Sequence, residues 1–243
     1  MTDTVVEVEG LTKRYGELTA VEDVSFRVAS GRVVGLLGRN GAGKTTTLRM
    51  LLGLARPTSG HATVFGLPYG ELPRAAHRVG VSMDGIGPSN AATGRGDLRI
   101  WASALGLGRK RVDEVLERVG LEGDAHRRLR GYSTGMRQRH ALATALLADP
   151  ELLILDEPAN GLDPDGIRWL REFLRSLADE GRTVLLSSHL LAEVEQIADD
   201  IVILQRTLRY SGTAADLTRD GSVSLEDRFF ELAGTAGKEP SHA

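Results

Sequence analysis

The sequence predicts an α/β fold built on a mostly parallel, doubly wound sheet. Short apolar β-branched runs, Val33-Val34-Gly35-Leu36-Leu37, Leu152-Leu153-Ile154-Leu155, Val184-Leu185-Leu186 and Ile201-Val202-Ile203-Leu204, read as strands buried on both faces. Helical stretches separate them, and strands alternating with helices favour parallel pairing. A glycine-rich turn leaves the first of these runs and opens a helix, the arrangement by which such folds hold a phosphate.

Composition narrows the class. A chain of 243 residues buries enough surface to need no disulfide or metal staple. The net charge of −3 does not indicate a strongly basic nucleic-acid binder. The absence of cysteine excludes a disulfide framework, thiolate zinc sites and a cysteine nucleophile, and fits a reducing compartment. No apolar run approaches the length of a membrane span, and Met1-Thr2-Asp3-Thr4 is not the start of a secretory signal.

The elements follow in order. Val6, Val8, Val24, Phe26 and Val28 alternate in strand fashion, and Gly31 marks a turn before Val33. Thr45 to Leu54 reads as a helix closed by a Pro57-Thr58-Ser59-Gly60 turn, with weaker strands over Ala62–Phe65 and Val79–Met83. From about 86 to 148 the texture becomes helical, over 98–102, 112–119 and 133–147, which predicts an α-helical insert. The α/β texture then resumes. Pro164 to Asp179 is a helix with proline in its first turn, Leu190 to Ala198 another, and Leu225 to Ala233 a last amphipathic one before a polar tail.

Gly38-Arg39-Asn40-Gly41-Ala42-Gly43-Lys44-Thr45 fits G-x-x-x-x-G-K-[ST] with a strand before it and a helix after it. Its glycines let backbone N–H groups turn towards phosphate oxygens, Lys44 supplies a mobile charge to the β- and γ-phosphates, and the Thr45 hydroxyl is a Mg²⁺ ligand. Asp156 and Glu157 close the strand 152–155 at the sheet's carboxyl edge. Asp156 is placed to hold Mg²⁺, and Glu157 to face the water that attacks the γ-phosphate. Read alone, the pair is an exposed acidic turn. His189 follows another strand end on the same edge, where it can bond the γ-phosphate and orient Glu157. His61, His77, His126, His140 and His242 read as surface or packing residues.

With these motifs in this order the chain resembles the ATP-binding subunits of ABC transporters, from about Val5 to Leu217. Further segments carry the resemblance. Tyr132-Ser133-Thr134-Gly135-Met136 is similar to the family's signature motif, Asn160-Gly161-Leu162-Asp163 to its D-loop, Tyr15 to the aromatic that stacks on adenine, and His189 to its switch histidine. The resemblance implies a P-loop NTPase core with an N-terminal antiparallel β-subdomain and an inserted α-helical subdomain. The ATPase domain would span residues 1–218, with a short helix and tail over 219–243. It also implies ATP and Mg²⁺ as cofactors, with Thr46 among the nucleotide contacts. Two subunits, as a homodimer, would sandwich two ATP molecules head to tail, so that Ser133 and Gly135 act on the partner's nucleotide. Ser133 is equally suited to cap its helix.

Three departures from the family pattern stand out. Thr134 and Met136 replace the commoner Gly and Gln, Arg39 replaces a common Pro, and Asp84 falls where the Q-loop glutamine belongs. An acidic residue there would join Thr45 and Asp156 around the metal, and it resembles the antibiotic-resistance and bacteriocin-immunity exporter branch. The function implied is ATP hydrolysis at the cytoplasmic face of the membrane, driving a separate permease that exports an antibiotic, peptide or lipid-like compound, without nucleic acid. The permease groove is expected over 84–105, with Ile86 and Leu98 as anchors and Trp101 in the core. A soluble ABC-type ATPase, or a non-hydrolysing assembly module, is the alternative.

Overall fold

The computed structural model describes residues 3–83 and 91–233. Asp84 and Ile86 lie outside them. In chain order the elements are β1 (Thr4–Tyr15), β2 (Leu18–Ala29), β3 (Val33–Leu37), α1 (Lys44–Leu51), β4 (Ser59–Val64), α2 (Ala75–Arg78) and β5 (Val79–Ser82). The helices α3 (Gly94–Ala104), α4 (Arg109–Arg118) and α5 (Thr134–Leu146) follow, then β6 (Leu152–Asp156), α6 (Pro164–Asp179), β7 (Thr183–Ser188) and α7 (Leu191–Glu195). β8 (Asp200–Gln205), β9 (Thr207–Thr213), α8 (Ala214–Thr218) and α9 (Leu225–Ala233) complete the described chain.

Two sheets form, as the α/β reading predicts. β2-β1-β4 is antiparallel, with Val8 opposite Phe26 and Val6 opposite both Val28 and Val64. The second sheet has the order β5-β6-β7-β3-β8-β9 and is parallel except for β9. Alternation of side chains along its buried strands builds two cores. Val34, Leu36, Ile154, Leu185 and Val202 face the antiparallel sheet and α1, packing with Val6, Val8, Val28, Leu48 and Leu51. Their neighbours Leu37, Leu153, Leu155, Leu186 and Ile203 face the helices, packing with Leu98, Leu116, Leu142, Leu146 and Leu174.

The long helix α6 has the bounds the sequence predicts, because its signals are local: the Asp163 carboxylate accepts the Gly166 N–H at 2.7 Å, and Pro164 opens the first turn. Elsewhere the structure corrects the reading. Ser59 and Gly60 begin β4 instead of completing a turn, because Ser59 pairs with Thr12. α7 stops at Glu195, short of Ala198. The Asp199 carboxylate accepts the Val33 N–H at 2.8 Å and pairs with Arg175, which turns the chain into β8. β9 is an edge strand with a half-buried polar face and no apolar run to betray it. α9 packs on α7, α8 and β9, with Leu225 and Phe229 inside the helix-side core. No helix among the described residues is long and apolar enough to cross a membrane.

Candidate nucleotide site

The carboxyl ends of β3, β7 and β6 lie side by side, and the candidate residues sit there. In the loop from β3 to α1, contacts leave no room for a side chain at Gly38 or Gly43. A Cβ on Gly38 would stand 2.6 Å from the Leu204 carbonyl oxygen of β8. Gly43 has φ +99° and would meet the Ala20 carbonyl oxygen at 2.7 Å, so both steric space and backbone angle demand glycine.

Lys44 is buried, and its ammonium donates to the Gly38 carbonyl at 2.7 Å and more weakly to that of Arg39 at 3.4 Å. It also pairs with Glu157 Oε1 at 3.0 Å. The other oxygen, Oε2, lies 2.7 Å from His189 Nδ1. A carboxylate only accepts, so Nδ1 carries the proton in this bond. Glu157 thus stands between a cation from the loop after β3 and a histidine from the end of β7. Its own backbone is left-handed, with φ +49°, an uncommon conformation for a non-glycine residue and one that clusters at functional sites.

Thr45 Oγ1 donates to Asp156 Oδ1 at 3.1 Å. Ser187, fully buried in β7 and paired in register with Asp156, donates to the same Oδ1 at 2.6 Å and accepts the Glu157 N–H at 2.9 Å. Sequence reasoning passed over Ser187. The available signal was a pair of serines, Ser187-Ser188, ending an otherwise apolar strand just before His189. A hydroxyl and a carboxylate oxygen sharing one point are the hard oxygen donors that suit Mg²⁺.

The groove over these groups encloses about 590 Å³ and is lined by Tyr15, Arg39, Asn40, Gly41, Ala42, Gly43, Lys44, Thr45, Thr46, Glu157 and His189. Tyr15 is half exposed at the end of β1, with Lys13 Nζ 4.8 Å from its ring centre. Ser133 and Gly135 do not line this groove. Ser133 caps α5, accepting the Met136 N–H at 3.2 Å. Beside it, Leu162 Cδ2 lies 3.8 Å from where a Gly135 Cβ would stand, so the 160–163 loop runs from the groove wall at Asn160 to the start of α5.

A second groove, of about 370 Å³, lies between β5 and the helices α3 and α5, with Val81, Trp101, Leu105 and Ala145 on its walls. Here the structure reverses two expectations. Trp101 is 40% exposed on α3, whereas Leu98 is fully buried. The helix turns Leu98 with Asp97 and Ala102 inward and leaves Ile100 and Trp101 outside.

Parallel sheet, phosphate loop with its lysine, and acidic strand end define a P-loop nucleoside triphosphatase. The chain belongs to the ABC transporter family, whose family model matches residues 21–160. It is 46% identical over 203 residues to the bacitracin transport ATP-binding protein BcrA of Enterococcus faecalis, covering 82% of this chain and 66% of that one. It is 39% identical over 246 residues to the daunorubicin resistance ATP-binding protein DrrA3 of Streptomyces coeruleorubidus, covering 98% and 77%. A solved structure described as an ATP binding subunit of an ABC transporter superposes with TM-score 0.82 at 32% identity, covering 94% of this chain and 99% of that one. The chain is therefore an ATP-binding domain of the class that hydrolyses ATP to power transport. It spans about two thirds of the length of the bacitracin relative.

Proposed function

We propose that this chain hydrolyses ATP as one half of a head-to-tail dimer and drives a separate permease exporting an antibiotic, peptide or lipid-like compound from the cytoplasmic face of the membrane. We take residues 1–218 as the ATPase domain and 219–243 as its C-terminal helix and tail. The export reading follows the relatives named for bacitracin transport and daunorubicin resistance.

The observation that carries the ATPase reading is Glu157 bridged between Lys44 and His189. An incoming γ-phosphate competes for Lys44 through its greater negative charge, and this releases Glu157 Oε1 to accept a proton from water. His189 keeps hold of Oε2 and orients the carboxylate. The N–H groups of the loop 38–45 and the start of α1 cradle the phosphates. Tyr15 offers its ring to the base. Thr45 and Asp156, steadied by Ser187, would hold Mg²⁺, which when bound offsets charge on the phosphate oxygens. Asp84 stays in this reading as a further metal ligand from the Q-loop position.

Ser133 and Gly135 stand off their own groove, which suits them to a partner's nucleotide, with the N-terminus of α5 facing an anion. The apolar groove at Trp101 is the surface suited to a permease helix. The test is a pair of variants. Glu157→Gln should lower kcat roughly 10²–10⁴-fold while ATP binding persists. Lys44→Ala should weaken ATP binding, because it removes a charge facing the phosphates. Normal turnover by purified Glu157→Gln protein would sink the assignment.

A further inference from the structure

Arg39 belongs to the phosphate loop, yet its side chain reaches towards the C-terminal helix. The guanidinium carbon lies 5.8 Å from the ring centre of Phe230 on α9, within range of an attractive cation–π contact. Arg39, Asn40 and His189 form a wall shared by two cavities: the nucleotide groove, and a second one of about 520 Å³ bounded on its far side by Phe229 and Phe230 of α9.

α9 is firmly seated. Leu225 and Phe229 are buried. The Leu225 N–H donates to Glu195 Oε1 of α7 at 2.8 Å, and Arg228 Nε donates to the Leu217 carbonyl at 3.1 Å. Phe230 is therefore presented at a defined place while half exposed itself. At the other end of the contact, the Arg39 carbonyl accepts the Ala42 N–H at 3.0 Å and the Lys44 ammonium at 3.4 Å. It is the atom that closes the turn of the loop and shares the lysine.

We infer that Phe230 is a positioning residue for the phosphate loop: its ring seats the Arg39 guanidinium and thereby fixes the Arg39 carbonyl against Ala42 and Lys44. The inference rests on the reading of residues 38–45 as the phosphate cradle. The C-terminal helix then acts on ATP affinity without touching the nucleotide.

The experiment uses the full chain and measures ATP affinity and steady-state hydrolysis. Phe230→Leu keeps an apolar side chain and removes the ring. It should weaken ATP binding and raise KM by about two- to fivefold, the range of a partly exposed cation–π contact, with kcat changed less than KM. Phe230→Tyr should restore wild-type affinity. Arg39→Gln should match Phe230→Leu, and the double variant should be no weaker than either single one. Wild-type affinity in Phe230→Leu, equal loss in Phe230→Tyr, or additive losses in the double variant would overturn the inference. Thermal melting of each variant separates a displaced helix from a lost contact, and a Phe230→Leu effect accompanied by a large fall in Tm would also overturn it. Wild-type protein that binds no ATP, or Lys44→Ala that binds it normally, would remove the cradle reading and this inference with it. ATP binding by the wild type, weakened in Lys44→Ala and unaffected in Phe230→Leu, would remove this inference alone.

Discussion

At the scale of single residues, the site depends on atoms that hold other atoms in place. Ser187 is the clearest case. Its hydroxyl serves Asp156 as donor and the Glu157 N–H as acceptor, so one buried group sets both acidic residues. Ser187→Ala leaves the Glu157 N–H without its partner, a cost of about 1–3 kcal/mol for a buried group. We expect lower stability in urea unfolding and slower hydrolysis, because the left-handed backbone at Glu157 loses its anchor. Ser187→Ala with unchanged unfolding and turnover would show that neighbouring groups suffice. Gly38→Ala tests the loop itself. The added methyl collides with the Leu204 carbonyl, so the loop must shift and ATP affinity should drop while the rest of the fold persists.

At the scale of elements, helix α3 buries Leu98 in the core and leaves Trp101 on the surface proposed for the permease. Leu98→Ala should destabilise the protein by about 2–5 kcal/mol, since it opens a cavity in the helix-side core. Trp101→Asp should leave melting and soluble ATPase activity nearly unchanged and impair permease association or transport. Soluble activity lost along with transport would place Trp101 in the fold. Across from α3, His140 of α5 is buried, with its Nε2 3.2 Å from the Gly94 carbonyl and 3.6 Å from Asp97 Oδ2. Burial lowers its pKa, and the Gly94 carbonyl and Asp97 offset this only in part. The unfolded chain therefore takes up this proton first as pH falls below about 6.5. The stability tied to neutral His140 is present above that pH and is lost as pH drops towards the lower folded-state value. Urea unfolding between pH 7.5 and 5.5 should show the loss, and His140→Gln should flatten it. An equal slope in the variant would assign the loss to other groups.

At the scale of the whole molecule, Ser133 and Gly135 do not line the groove of their own chain, and the proposed head-to-tail dimer would bring them to a partner's groove. Glu157→Gln protein should pass from monomer to dimer on adding ATP, read by light scattering behind a sizing column. Lys44→Ala and a Ser133→Asp variant should each be inactive alone, and a mixture of the two should recover part of the activity. The mixed dimer holds one site with an intact lysine facing an intact serine. No recovery on mixing, with both variants folded and dimerisation observed, would argue that the serine acts elsewhere.

What the sequence determined by itself were the features whose causes are local. The loop 38–45 carries its own glycines, lysine and helix start. The acids at 156–157 end a run too apolar to lie anywhere but inside the sheet. Helix α6 carries both its cap and its proline. Tertiary structure decided the rest. A strand pair across the sheet brought Ser187 to Asp156, a packed C-terminal helix brought Phe230 to Arg39, and the angle at which α3 docks turned Trp101 outward and Leu98 inward. Hydrophobic periodicity names the residues that favour burial, and in α3 both Leu98 and Trp101 qualify. Which face wins depends on the neighbours, and those are set by chain segments tens of residues away.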